Sequence, residues 1–144
     1  MGFKKTGFGK GKLNGFGGKV KENESIGEAA IRELHEEARV KTTLEDIVKV
    51  GEISFFFPYV PKKGWDQRVH VFFARRWEGE PKESREMKPL WINVNELPFE
   101  RMWQDDRHWL PLLLNNKKVK GSFVFKEDNE SIEHFEMEEV GSDF

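Results

Sequence analysis

The segment from Gly18 to Val40 reads GKVKENESIGEAAIRELHEEARV. Near its middle stands Ser25-Ile26-Gly27-Glu28, a capping-box pattern, in which a serine hydroxyl and a glutamate three residues on satisfy free backbone N–H groups at a helix start. The pattern predicts a helix near residues 26–38. Within it Glu33, Glu36 and Glu37 are spaced i, i+3, i+4 and fall within an arc of about 100°. The apolar residues Ile26, Ala30, Ile31, Leu34 and Ala38 fill the adjoining arc. Glu33 and Glu37 lie at the edge of that arc, whereas a merely solvated face usually lies opposite it. Three clustered carboxylates repel one another and need a compensating charge. A hard divalent cation such as Mg²⁺ supplies it and prefers oxygen ligands. Arg32 is adjacent to Glu33 and one turn from Glu36, where it can restrain a carboxylate. The plain alternative is an exposed glutamate-rich helix. A zinc reading of His35-Glu36 fails, because the H-E-x-x-H pattern needs a second histidine where Arg39 stands.

The rest of the chain is compatible with one enzyme domain. Its 144 residues suit a single domain over 1–140, with 141–144 as a frayed tail. Hydrophobic residues make up 37% and charged residues 35%, yet 13 Phe and 5 Trp provide large side chains for a core. The net charge of −2 is spread along the chain, so no polybasic stripe for a nucleic-acid polymer is present. There is no cysteine, which excludes disulfides and thiolate chemistry. Apolar runs are too short to cross a bilayer, and no secretory h-region follows the start. The expected state is a monomer in the cytoplasm.

Residues 1–18 hold seven of the 13 glycines and read as loop with brief extended pieces. Ile47 to Phe57 and Arg68 to Trp77 read as strands, with Pro61 to Gly64 as a turn between them. A shorter strand is expected over Leu90 to Val94. Trp109 to Asn115 reads as a helix with Pro111 in its first turn. Ser122 to Lys126 and Ile132 to Val140 read as a closing strand pair. The class expected is α+β.

The opening segment resembles the box of the Nudix hydrolases, G-x5-E-x7-R-E-U-x-E-E-x-G-U, where U is aliphatic. Gly18, Glu24, Arg32, Glu33, Leu34, Glu36, Glu37 and Val40 match at the correct spacings, and Arg39 replaces the last glycine. That glycine closes the helix in a left-handed conformation, so arginine there implies strain or a different helix end. The resemblance implies the Nudix fold, a mixed β-sheet sandwiched between helices. It also implies Mg²⁺, with Mn²⁺ as a substitute, held by Glu33, Glu36 and Glu37 and joined by the Gly18 carbonyl. Arg32 would orient Glu33. Glu37 is the favoured catalytic base.

Similarity continues through Lys4-Lys5-x-Gly7-Phe8-Gly9-x-Gly11-x-x-Asn14-Gly15-Phe16-Gly17-Gly18, Glu86-Met87-x-Pro89 and Met102-Trp103-x-Asp105-Asp106 to Trp109-x-Pro111-Leu112-Leu113-Leu114. These stretches resemble the branch of the family that hydrolyses oxidised purine nucleoside triphosphates such as 8-oxo-dGTP and 2-hydroxy-dATP to monophosphate and pyrophosphate, sanitising the nucleotide pool. The resemblance implies that Asn14, Asp105 and Asp106 bond the purine edge and that Trp103 stacks on the ring. Phe55 and Phe57 would be further walls, Lys4 and Phe8 would join the substrate-binding set, and Glu86 would be an extra metal ligand. Adjacent carboxylates raise each other's pKa, so one of Asp105 and Asp106 can stay protonated and donate. The plain reading is that Trp103 and Trp109 are core and that the aspartates cap the following helix. The family fold normally begins with a further strand and turn. Here Gly2 to Lys5 stand where a second strand would end, and the first strand's absence would leave sheet edges unpaired. A Nudix enzyme for another nucleoside diphosphate derivative and a non-catalytic nucleotide-binding module are the alternatives.

Overall fold

The computed structural model describes residues 1–60 and 65–141. The expected turn over Pro61 to Gly64, and all of the expected frayed tail beyond Gly141, lie outside the described residues. The chain forms two compact units, one made of Met1–Val48 and Phe72–Trp103, the other of Lys49–Val71 and the residues from Gln104 onward.

The first unit contains β1 (Gly2–Lys4), β2 (Leu13–Asn14), α1 (Ile26–Ala38) and β5 (Met87–Pro89), with its small sheet in the order β2-β1-β5. Both pairings are antiparallel, Phe3 facing Leu13 on one side and Lys88 on the other. A Cβ at Gly2 would fall 2.8 Å from the Phe16 ring, so a side chain there would displace that ring. The core of this unit is Leu13, Ala29, Ala38, Val40, Met87 and Met102.

Helix α1 begins as the capping box predicts. Ser25 Oγ accepts the Glu28 N–H at 3.1 Å, and the Ser25 N–H donates to the Glu28 carboxylate at 2.9 Å. The helix ends at Arg39, which takes φ 62° and ψ 22° and donates its N–H to the His35 carbonyl. The left-handed turn expected of glycine is thus kept by arginine, at a cost of about 1–2 kcal/mol. Its buried residues are Ala29, Glu37 and Ala38, while Ile26, expected on the buried arc, is exposed.

The second unit is built on a four-stranded sheet in the order β4-β3-β6-β7, from β3 (Ile47–Phe56), β4 (Gln67–Ala74), β6 (Lys118–Phe125) and β7 (Ile132–Val140). β3 and β6 run parallel, with Phe55 opposite Phe123, and β6 and β7 are antiparallel. Val50, Ile53, Phe57, Leu113, Val119, Phe123 and Phe125 are buried here. Every second residue of β6 from Val119 to Phe125 faces inward or has no side chain, as strand alternation requires. Helix α2 (Asp106–Leu114) packs on β6. The α+β class read from the sequence holds. The strands divide over two sheets, and mixed pairing belongs to the larger one.

Two expected elements are corrected. The strand over Leu90 to Val94 is instead Met87–Pro89. Past Pro89 the Leu90 N–H still donates to the Met1 carbonyl, but Trp91 is exposed and Asn93 turns the chain by accepting the Asn95 N–H. Helix α2 starts at Asp106, so Pro111 lies inside the helix and not in its first turn. The proline ring removes one N–H from the helical ladder, and the segment Asp106 to Trp109 supplies the turn before it.

Candidate active site

Arg32 is the hub of the first unit's acidic cluster. Its guanidinium grips Glu24 with two bonds, Nε to Oε2 at 2.7 Å and Nη2 to Oε1 at 3.0 Å. Nη1 reaches Glu33 Oε1 at 2.7 Å and Glu36 Oε2 at 3.2 Å, and Nη2 also reaches the Lys19 carbonyl at 3.0 Å. A planar fork with several fixed donors suits this geometry and an ammonium does not. The paired guanidinium pulls the Glu24 pKa down to about 2, and Glu24 in turn raises that of Arg32. Glu24 matches the motif, but the sequence alone gives it no role. It precedes the helix, so helical periodicity does not reach it.

Gly18 lies directly against Glu33. A Cβ at position 18 would fall 2.6 Å from the Glu33 carboxylate carbon. The glycine of the box therefore makes room for this side chain.

Glu37 is 2% exposed. Its Oε1 accepts the Gly17 N–H at 2.7 Å. Its Oε2 is buried and has no hydrogen bond, with the Lys4 ammonium 4.0 Å away. Lys4 also lies 3.8 Å from Glu86. Burial, opposed by the Gly17 bond and Lys4, pushes the Glu37 pKa up to about 7. A buried carboxylate oxygen without a donor fits a hard cation. Among the described residues no three acidic or histidine side chains already converge into a metal cage. Instead Glu33 and Glu36 turn to Arg32, and Glu37 and Glu86 turn to Lys4.

Asn14, Phe8 and Trp103 are brought together in the same unit. The Trp103 indole N–H donates to Asn14 Oδ1 at 3.1 Å. Phe8 stacks on Trp103 with centroids 5.2 Å apart, and the Lys12 ammonium lies 5.1 Å from the indole centroid.

Asp105 and Asp106 belong to the second unit, where both are buried. Neither caps α2 by a side-chain hydrogen bond, which answers the plain reading of these residues. Asp105 Oδ2 accepts the Trp109 indole N–H at 2.8 Å, and the two carboxyl groups bond each other. Burial and the neighbouring Asp105 charge push the Asp106 pKa up to about 9, and burial raises that of Asp105. The pair therefore holds a proton at neutral pH. Phe57 is buried between Phe125, stacked at 4.7 Å, and the edge of Trp65. Phe55 is half-buried beside Phe123 and Phe125.

The arginine-held acidic helix beneath Gly17-Gly18 defines the class. The NUDIX domain family model matches residues 4–113, and the chain belongs to that family. It is 44% identical over 142 residues to the mouse oxidized purine nucleoside triphosphate hydrolase, covering 99% of this chain and 87% of that protein. The zebrafish protein of the same name is 44% identical over 140 residues, covering 97% and 86%. The crystal structure of a mutator MutT protein from Bacillus halodurans superposes with a TM-score of 0.77 at 26% identity, covering 88% of this chain and 82% of that one. Hydrolases of this family generally use divalent metals. No helix among the described residues is long and apolar enough to cross a membrane.

Proposed function

We propose that this protein hydrolyses oxidised purine nucleoside triphosphates, such as 8-oxo-dGTP and 2-hydroxy-dATP, to the monophosphate and pyrophosphate, and so clears damaged precursors from the nucleotide pool. The observation that carries this reading is the 44% identity across 99% of the chain to an enzyme named for that substrate class. The cofactor is Mg²⁺, with Mn²⁺ as a substitute, held by Glu33, Glu36, Glu37, the Gly18 carbonyl and Glu86. When bound, the metal neutralises triphosphate charge and polarises the phosphorus under attack. Arg32 holds Glu33 and Glu36 in register. Glu37 takes the proton of the attacking water. Water adds to the phosphorus, and the phosphoanhydride bond to the departing pyrophosphate breaks. Lys4 faces the polyphosphate. Asn14, Asp105 and Asp106 bond the purine, with one aspartate protonated as donor, and Trp103 with Phe8, Phe55 and Phe57 supplies aromatic surface. The protein works as a cytoplasmic monomer on free nucleotides, with neither a nucleic-acid polymer nor a membrane as partner.

A hydrolysis panel tests this reading. Normal and oxidised nucleoside triphosphates are incubated with and without Mg²⁺, and pyrophosphate is measured apart from phosphate. Metal-dependent pyrophosphate release with kcat/KM highest for oxidised purines is expected. Equal turnover of dGTP and 8-oxo-dGTP, or release of phosphate alone, overturns it.

A further inference from the structure

The second unit carries a groove of about 510 Å³ that the hydrolysis reading does not use. Arg107 and His108 come to it from the first turn of α2, and Lys126, Glu133, His134 and Phe135 from the β6–β7 hairpin. Trp103, Asp105 and Asp106 do not line it. Its volume falls within the range of about 300–1,000 Å³ common to small-molecule sites. The His108 ring lies 4.5 Å from the Phe135 ring, which stacks at 5.3 Å and 8° on Phe123. Phe123 is fully buried and Phe135 is 40% exposed. The groove thus offers water an aromatic ring that the core already holds in place.

Charge in the groove is positive. Arg107 and Lys126 are exposed, and neither side chain has a hydrogen bond or ion pair among the described residues. Glu133 is the one carboxylate among the described residues lining the groove, and it already accepts the Tyr59 hydroxyl at 2.9 Å. Two cations therefore stand against one carboxylate before either histidine is protonated. Solvated surface cations are common. These two share a concave surface with an exposed ring backed by the core, and that combination has a ligand chemistry. A guanidinium takes a phosphate through its planar fork, and an ammonium adds a point charge. A flat ring stacks on an aromatic side chain whatever its edge carries.

We propose that this groove is an accessory binding site for a phosphate carried on a flat ring, the chemistry of a nucleoside monophosphate. The base lies on Phe135 and His108, and Arg107 and Lys126 take the phosphate. The site goes beyond the hydrolysis reading and does not depend on it.

Histidine side-chain NMR at constant pH reads the groove directly, because two of the protein's 4 histidines line it and His35 and His70 do not. Metal-free protein is titrated with dGMP, with deoxyguanosine and with inorganic phosphate. The His108 and His134 resonances should shift with dGMP while those of His35 and His70 stay. Arg107→Ala and Lys126→Ala, both at exposed positions, should each weaken this response about tenfold, the scale of one charged hydrogen bond. Both variants should keep the wild-type kcat/KM for 8-oxo-dGTP. Phe135→Leu should weaken dGMP about fivefold or more and leave inorganic phosphate unchanged. Unmoved His108 and His134 resonances at millimolar dGMP overturn the proposal, as does a response that both cation variants keep. Inorganic phosphate binding as tightly as dGMP also overturns it and leaves an adventitious ion only. If wild type hydrolyses no oxidised nucleotide while His108 and His134 respond as expected, the hydrolysis reading has failed and the groove stands.

Discussion

Gly18 lies so close to Glu33 that a Cβ at position 18 would fall 2.6 Å from two atoms of the Glu33 carboxylate group. One expected outcome follows directly. Gly18→Ala should push Glu33 off its Arg32 bond at a cost of about 1–3 kcal/mol in stability, as overpacking does. Divalent-metal affinity should weaken with it. Thermal melting and calorimetric titration with Mn²⁺ check both. Unchanged melting and unchanged affinity would mean that Glu33 swings aside without consequence.

Arg32→Lys should lower kcat by up to about a hundredfold, because one ammonium does not reproduce the two-bond grip on Glu24 together with the bonds to Glu33 and Glu36. Glu24→Gln should have a smaller effect in the same direction. Steady-state kinetics at saturating Mg²⁺ make the comparison, and a larger loss in Glu24→Gln than in Arg32→Lys would contradict this ranking.

Glu37→Gln keeps an acceptor for the Gly17 N–H and removes a buried carboxylate. Turnover should fall by about two to four orders of magnitude, the range of general acid–base catalysis. Metal-free thermal stability should hold or rise, because an uncompensated buried charge is costly. A variant that melts lower and also keeps turnover would remove Glu37 from the catalytic set.

The Asp105–Asp106 pair gives stability a pH dependence. In the folded protein the Asp106 pKa stands at about 9, raised from an ordinary value of 3.8 by burial and by Asp105. The folded state therefore holds more protons than the unfolded state between those values. Stability from this group is fully present below the unfolded pKa and is lost as pH rises toward 9. Asp106→Asn, which does not ionise, should flatten the decline in melting temperature between pH 6 and pH 9. Parallel profiles for variant and wild type would show that the pair does not share a proton.

Trp109→Phe removes the donor to Asp105 Oδ2 and leaves a buried carboxylate oxygen without it. The expected cost is about 1–3 kcal/mol. Urea unfolding measures it, and a loss no larger than that of an exposed substitution would show that Asp105 finds another donor.

Much of helix α1 and its acidic arc was determined by the sequence alone, because local interactions decide it. The capping box sets the start of α1 within four residues, and helical spacing alone puts Glu33, Glu36 and Glu37 on one arc. At Arg39 the motif leaves open a strained left-handed end or a different helix end, and the structure takes the left-handed one. The β-branched and aromatic composition of Ile47 to Phe57 likewise marks β3. What tertiary structure decided is every relation between residues distant in the chain. Sequence placed Arg32 near its helix neighbours, but only folding brings in Glu24 from the preceding loop, Gly17 to bond Glu37, and Lys4 to stand between Glu37 and Glu86. The same holds for Asn14 and Trp103, whose hydrogen bond closes a separation of 89 residues. The strand expected over Leu90 to Val94 stands at Met87–Pro89 for this reason. Its limits are set by the three residues of β1 it pairs with, a partner that no local pattern of Leu90 to Val94 reveals.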